Sequence, residues 1–99
     1  MRPMQTREDV LRVLAEHRDE LAQRGARRLG LFGSFAREEA RPDSDVDLLV
    51  DLDRHTFDRF MDLKLYLEDI LGRRVDLVLF DRIKPALRER ILRGVIDAA

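Results

Sequence analysis

The 99-residue sequence contains no cysteine. This absence excludes disulfides, thiolate zinc sites and cysteine nucleophiles, and it fits a reducing compartment. No stretch approaches the roughly 20 apolar residues of a membrane-spanning helix, and the first residues, Met1 to Arg7, contain no apolar run, so we expect no signal peptide. The sequence therefore predicts a cytoplasmic protein without a membrane partner.

The sequence also lacks an excess of either charge, since Lys+Arg 19 and Asp+Glu 20 give a net charge of -1. A protein that binds nucleic acids through their phosphates normally has a clear basic excess, because counterion release supplies most of the non-specific affinity. We therefore expect no strong general binding of nucleic acids. The length leaves room for one small domain, and we expect residues 1–99 to form a single domain with a densely ionic surface, since 39% of the residues are charged.

The spacing of apolar residues predicts helices that alternate with short strands. The predicted helices are 6–24 with Thr6 as N-cap, a short one from Gly33 through Glu38, 56–71 ending at Gly72, and one from Pro85 with Leu87, Ile91 and Leu92 as its apolar pattern. The predicted strands are 28–32, 45–51, 75–80 and a short edge strand at Val95-Ile96. This order predicts an α/β (α+β) domain in which helices pack on a small mixed β-sheet.

Three acidic residues lie near the starts of two predicted strands. Asp45 and Asp47 are two residues apart, which places both carboxylates on one face, opposite the apolar face of Val46 and Leu48. Asp76 lies at the start of the next strand, so the three acids converge if the strands are neighbours. Converging carboxylates repel one another unless a cation neutralises them, and Mg²⁺ prefers oxygen ligands. The acids therefore predict a site for Mg²⁺, with two ions expected for phosphoryl or nucleotidyl transfer.

Gly33 and Ser34 precede Asp45 by a short loop and begin the predicted short helix. A glycine after a strand allows a tight turn and close approach of a ligand, and the N–H groups of a helix start bind anions. Together with the acids, these residues predict a site for a nucleoside triphosphate. Arg37 follows the turn, where it either reaches a phosphate or forms an exposed ion pair with a nearby acid.

The segments 31–37, 42–50 and 74–78 resemble the minimal nucleotidyltransferases of the polymerase-beta superfamily, and the resemblance covers most of the chain. It implies the nucleotidyltransferase core fold and the following roles: metal binding by Asp45, Asp47 and Asp76, with activation of the attacking hydroxyl by Asp76, and binding of the ATP triphosphate by Gly33 and Ser34. One position departs from the family pattern. Glu38 follows the Arg of the Ser-x-Ala-Arg stretch, where the family usually has Gly, and a carboxylate near the phosphates would weaken nucleotide binding.

Stand-alone minimal members of this family resemble the antitoxins of two-gene systems. The other half of such a system is an all-helical HEPN-domain RNase toxin, which the nucleotidyltransferase modifies with AMP on tyrosine. The resemblance therefore implies a HEPN partner as acceptor of AMP from ATP. Two alternatives stay open: a catalytically degenerate module that neutralises a partner by binding alone, which Glu38 motivates, and nucleotidyl transfer to a small molecule or an RNA end.

The remaining residues with chemical potential have ordinary interpretations. We expect His17 to be a solvated helix residue and His55 to be the neighbour of a helix cap, with a place near the mouth of the site as the lesser alternative. Asp51 and Asp53 are expected to end the second strand in solvent, and Arg82 and Lys84 face either substrate or solvent. The spacing of three further residues favours the core over an interface: Phe57, Met61 and Tyr66.

Overall fold

The computed structural model describes residues 6–98. Its elements are α1 (Arg7–Glu16), α2 (Arg18–Gln23), β1 (Ala26–Phe32), α3 (Gly33–Ala36), β2 (Val46–Leu52), α4 (Phe57–Leu71), β3 (Val75–Leu79), α5 (Pro85–Arg93) and β4 (Ile96–Asp97). A short 3-10 turn, Phe80–Arg82, follows β3. Residues 1–5 and 99 lie outside the described residues. They belong to the predicted domain, and residues 1–5 make up most of the N-terminal segment in which we expect no signal peptide.

The four strands form one mixed sheet in the order β3-β2-β1-β4. β1 is antiparallel to β2 and β4, whereas β2 and β3 are parallel. Parallel neighbours need a crossover connection, which α4 supplies. Thr56 caps the start of α4, and Gly72 ends it in the left-handed conformation at φ 65°. The predicted mixed sheet with packed helices is therefore confirmed.

The hydrophobic core lies on one face of the sheet, under α1, α2 and α4. Alternate residues of β2 face it, and Val46, Leu48 and Val50 are fully buried, as the alternation predicts. The core also takes apolar residues at helical spacing from the three helices, which are Val10, Leu14, Leu21, Leu63, Leu67 and Leu71. This face of the sheet fixes the register of the strands, because a slip by one residue would bring carboxylates into the core.

The prediction of one helix over 6–24 is wrong at a single point. The capping box of Thr6 with Asp9 starts the helix as predicted, but the helix breaks at His17. The backbone of His17 leaves the helical conformation, with ψ 18°, and its ring Nδ1 lies 2.8 Å from the carbonyl oxygen of Val13. His17 is thus a half-buried residue at a helix junction rather than a solvated helix residue.

The C-terminal helix starts at Pro85 as predicted, but its expected apolar stripe is not buried. Leu87 and Leu92 are 47% and 46% exposed, and Ile91 is half-buried. The reason is its place on the far side of the sheet from the core. There Leu92 borders a cavity beside Leu49 instead of packing tightly.

The remaining differences concern the ends of strands and the end of α3, which stops at Ala36 instead of Glu38. β1 begins two residues earlier than predicted, because a register shift between Ala26 and Arg28 lets the strand continue past an irregular pair. β2 begins at Val46, so Asp45 immediately precedes it, and β3 ends where Phe80 starts the 3-10 turn. β4 lies one residue later than predicted. No helix in the described part of the chain has the length and apolar character needed to cross a membrane.

Candidate active site

The predicted site residues meet on the face of the sheet opposite the core, which we call the site face. Asp47 and Asp76 are register partners in the parallel ladder of β2 and β3. On its other side Asp47 pairs with Phe32, the last residue of β1, immediately before Gly33. The end of β1 and the starts of β2 and β3 therefore bring Asp47, Asp76 and the Gly33 turn to one place, as the sequence predicts.

The surroundings of Asp47 disfavour the ionised form of its carboxylate. Burial raises the pKa of Asp47 above its usual value, and the neighbouring carboxylates of Asp76 and Asp45 raise it further. The nearby guanidinium of Arg37 acts in the opposite direction and lowers this pKa. Among residues 6–98, none of the hydrogen bonds involves the Asp47 carboxylate. A carboxylate without a hydrogen bond, beside two other acids, is typical of a site that an external cation completes.

Gly33 lies against the Asp47 carboxylate in a way that no other residue type could. Its φ is +72°, in the left-handed region, and a Cβ atom at this position would lie 2.0 Å from Oδ2 of Asp47. The turn between β1 and α3 therefore approaches the acid directly. Ser34, the next residue of α3, is half-buried beside it. This close approach joins the predicted phosphate-binding turn to the predicted metal-binding acid.

The acids suit Mg²⁺ by the chemistry of their oxygen atoms, although their side chains do not surround a metal position. Within the described chain, no group of three or more His, Cys, Asp or Glu side chains converges enough to hold a metal ion as it stands. The structure thus places Asp47 beside Asp76 on neighbouring strands, but the predicted convergence of three acids is not formed among the described residues. The donors are hard carboxylate oxygens. Burial raises the pKa of Asp47 most, and the neighbouring carboxylates of Asp76 and Asp45 add a repulsion that a divalent cation would relieve. The residues present therefore fit Mg²⁺.

Glu38 is the residue that departs from the family pattern, and both Glu38 and its neighbour Arg37 form ion pairs. Glu38 adopts φ 60°, the left-handed conformation, at the position where the family usually has Gly. Its carboxylate lies 3.3 Å from the guanidinium of Arg7, which also donates to the carbonyl of Ala36 at 3.2 Å. Arg37 forms an exposed ion pair with Glu39 at 3.1 Å while its charge still acts on Asp47. The Glu38 carboxylate is thus paired with the Arg7 guanidinium, a partner that sequence reasoning did not identify.

A cavity of about 350 Å³ lies further along the site face. Its lining includes Leu49, one same-face position beyond Asp47, and Phe80 and Leu92 from the segments after β3. Sequence reasoning missed this cavity, although Gly30 in the middle of β1 was a signal. A Cβ at Gly30 would lie 2.5 Å from Cγ1 of Val95, so the glycine marks a close approach of the C-terminal segment.

The expectation that Asp51 and Asp53 end the second strand in solvent needs correction for both residues. Asp51 is half-buried and borders the cavity. Asp53 forms a bidentate ion pair with Arg59, at 3.0 Å and 3.2 Å, instead of ending the strand in solvent. The hydrogen bond from Arg59 lowers the pKa of Asp53. The pair packs over Gly25, where a Cβ would lie 2.4 Å from Oδ1 of Asp53. This ion pair connects the end of β2 to α4, and it has no part in the acid site.

A second groove lies at the other side of β3, lined by residues of the α4 start and of β3. His55 neighbours the Thr56 cap, as predicted, and its Nε2 lies 3.2 Å from the Asp81 carboxylate. Phe57 is 76% exposed, so the expectation that it belongs to the core is wrong. Tyr66 does pack against the core, whereas Met61 is half-buried and Arg82 and Lys84 are exposed.

Comparison with known proteins shows the family of this chain. The family profile of the nucleotidyltransferase domain matches residues 14–97. The protein adenylyltransferase MntA of Thermococcus cleftensis is 43% identical over 95 residues, which are 94% of this chain and 96% of that protein. A solved structure assigned as a minimal nucleotidyltransferase is 45% identical, with a TM-score of 0.73, over 87% of this chain and 93% of the other.

A more distant structure shares the fold alone. It is a tri-AMPylated Shewanella oneidensis HEPN toxin in complex with an MNT antitoxin, 18% identical with a TM-score of 0.64, and the match covers 90% of this chain and 71% of that chain. Fold and site together define a nucleotidyltransferase domain. The chain belongs to the nucleotidyltransferase family, in which its relatives include the MntA adenylyltransferase.

Proposed function

We propose that this chain transfers AMP from ATP, with Mg²⁺, to a tyrosine hydroxyl of a HEPN toxin and thereby acts as its antitoxin. The observation that carries the proposal is the register pairing of Asp47 with Asp76 directly beside the Gly33 turn. The names of the relatives support the chemistry, since one is a protein adenylyltransferase and one structure holds an AMPylated toxin with its antitoxin. The absence of cysteine fits the cytoplasm as the place of action.

Each residue has a role that follows from its position. Asp45 and Asp47, assisted by Asp76, would hold Mg²⁺, which when bound stabilises the charge that develops on the transferred phosphoryl group. Gly33 allows the turn to approach the Asp47 carboxylate closely, and Ser34 would offer its hydroxyl and N–H to the phosphates. Arg37 contributes positive charge at the same place.

The transfer itself needs an activated acceptor. The acceptor oxygen attacks the α-phosphorus, the bond from this phosphorus to the bridging oxygen breaks, and pyrophosphate leaves. Asp76 is exposed on β3, so its carboxylate is accessible to the acceptor hydroxyl and accepts its proton. The AMP group ends in a phosphodiester bond to the acceptor side chain.

The test is a transfer assay with ATP, Mg²⁺ and the co-encoded HEPN protein, read by intact mass. We expect the mass of AMP on the HEPN protein with the natural chain and none with Asp47→Asn. Asp51→Asn is the matched control, because Asp51 is an acid on the same face of the same strand but borders the cavity instead of the acid site. An unmodified partner at saturating ATP, or equal loss in both variants, would contradict the proposal.

A degenerate binding module is the second candidate, since Glu38 occupies a position that is usually Gly. Its ion pair with Arg7 provides a cation for this carboxylate and so weakens the argument that it repels the triphosphate. The two candidates separate in cells: an Asp45→Asn, Asp47→Asn double variant that still neutralises the toxin fully would support binding alone.

A further inference from the structure

We propose that the acceptor protein docks an extended segment, one that connects two of its helices, on the free edge of β3, and that this segment presents its hydroxyl side chain to Asp76. β3 is the terminal strand of the sheet, with β2 on one side only. An edge strand presents unpaired N–H and C=O groups, which an added strand can pair. This inference rests on the proposed function, and it names the surface that recognises the acceptor.

The hydrogen bonds at the start of β3 show which backbone groups point outward. The carbonyl of Arg74 accepts from the N–H of Val46 in β2 at 2.9 Å. The N–H of Val75 instead points away from β2 and is bound by the carboxylate of Glu68 at 3.0 Å. Because the direction alternates along a strand, the backbone groups of Leu77 and Leu79 also point away from β2. Among residues 6–98, no side chain binds these two residues as Glu68 binds Val75.

The groove along this edge suits an extended peptide. It has a volume of about 380 Å³ and is lined by Leu77, Val78 and Leu79 on one side and by Thr56, Phe57 and Phe60 on the other. Phe57 is the most exposed large apolar residue of the described chain, at 76%. A docked segment would cover the Phe57 ring and at the same time form backbone hydrogen bonds with β3.

The charges around the groove select the partner. Arg74 before the edge and Arg82 after it are exposed, and Arg82 also lines the groove. The nearby acid Asp81 already faces His55 at 3.2 Å. The two cations are complementary to a segment that carries acidic residues on both sides of its hydroxyl residue.

The position of Glu68 also bears on the acceptor side chain. Glu68 covers the outer side of Val75, so pairing begins at Leu77, one residue beyond Asp76. A site-face side chain of the docked segment then lies beside Val78, which is roughly 7 Å from Asp76 along the strand. A tyrosine is long enough to span this distance and a serine is not. The edge therefore favours tyrosine as the acceptor.

Two variants of one residue isolate the contribution of the edge. Leu79 has φ -74°, which proline adopts without strain, so Leu79→Pro removes one outward N–H without forcing the backbone. Leu79→Ala is the matched control that shortens the same side chain and keeps the N–H. We expect Leu79→Pro to raise the KM for the HEPN protein about tenfold and Leu79→Ala no more than about threefold. The Kd of a non-hydrolysable ATP analogue stays unchanged in both. Equal KM values would overturn the docking edge.

Hydrogen exchange of the natural chain gives a readout that does not depend on catalysis or on the stability of a variant. Addition of the HEPN protein should slow exchange at the amides of Leu77 and Leu79 and leave Val78, which already points to β2, unchanged. Unchanged exchange at both outer amides overturns the docking edge, as does protection that needs only a higher concentration of this chain and thus indicates a second copy. AMP transfer without protection of these two amides would contradict the docking edge but not the proposed function. Protection of the amides without AMP transfer would contradict the proposed function but not the docking edge.

Discussion

The two faces of the sheet are formed by alternate residues of the same strands, yet they meet opposite requirements. On β2, Leu48 is fully buried in the core, while its neighbour Asp47 lies on the site face with a raised pKa. The core face gains stability from close packing of apolar side chains. The site face gathers like charges, which cost stability, beside a left-handed turn that glycine adopts without steric strain. The comparison shows that the candidate site lies on the face of the sheet that contributes least to the stability of the fold.

The largest effect should come from removing volume on the core face. Leu48→Ala should lower the free energy of unfolding by about 3–5 kcal/mol, because the core cannot close the space that the side chain leaves. Leu49→Ala is the matched change on the site face, beside the existing cavity, and should cost only about 1–2 kcal/mol. Urea denaturation measures both. Equal losses would mean that the two faces are packed alike.

The next largest effect concerns the turn at Gly33. Gly33→Ala should cost about 2 kcal/mol or more, because alanine disfavours φ +72° and its Cβ would collide with the Asp47 carboxylate. Part of the cost should disappear when Asp47→Ala is added, since this removes the carboxylate and leaves only the backbone strain. A double-mutant cycle measures the difference. Strict additivity would contradict the close approach of turn and acid.

A smaller effect of opposite sign is expected for Asp47→Asn without metal. The folded pKa of Asp47 is raised above 3.8, so ionisation destabilises the folded chain as the pH rises through the interval above 3.8. Asparagine removes this charge and should stabilise the metal-free protein at neutral pH by at most about 1 kcal/mol, since Asp47 is only partly buried. The gain should vanish at a pH below the unfolded pKa. A clear loss of stability at neutral pH would mean that the Asp47 carboxylate has a structural partner.

The smallest effect is expected for Glu38→Gly. Glycine relieves the left-handed conformation at φ 60°, but the exposed ion pair with Arg7 is lost and the unfolded chain gains freedom, so the net change should stay within about 1 kcal/mol. The affinity for a non-hydrolysable ATP analogue should not change, because Arg7 binds the carboxylate. Isothermal titration calorimetry measures it. A tenfold tighter Kd would instead show that Glu38 repels the phosphates.

The core face was predictable from the sequence because it follows from periodicity. Val46, Leu48 and Val50 occupy alternate positions of β2, and Leu63, Leu67 and Leu71 recur at helical spacing, so burial follows directly. The same alternation placed Asp47 on the opposite face, and the pairing with Asp76 then required only that β2 and β3 be neighbours. The adjacency of the acids was thus predictable, whereas their roles stay a prediction.

Other features depend on contacts between distant segments, which periodicity does not encode. The exposed side of α5 and the packing of the Asp53–Arg59 ion pair over Gly25 depend on the arrangement of distant segments. The break at His17 accompanies a local contact of its ring with the carbonyl of Val13. The exposure of Phe57 is a further example, since its helical spacing is compatible with the core and only the strand order leaves it at an open edge.

The most direct test of the site face is the thermal stability of the chain with Mg²⁺ and a non-hydrolysable ATP analogue. At about 100 times its Kd, the ligand should stabilise the natural chain by roughly 2.7 kcal/mol, a shift in Tm on the order of 10 °C for a domain of this size. We expect the shift to need both Mg²⁺ and the analogue and to disappear in Asp45→Asn and Asp47→Asn. An equal shift in these variants, or none in the natural chain, would contradict a nucleotide site built on the acids.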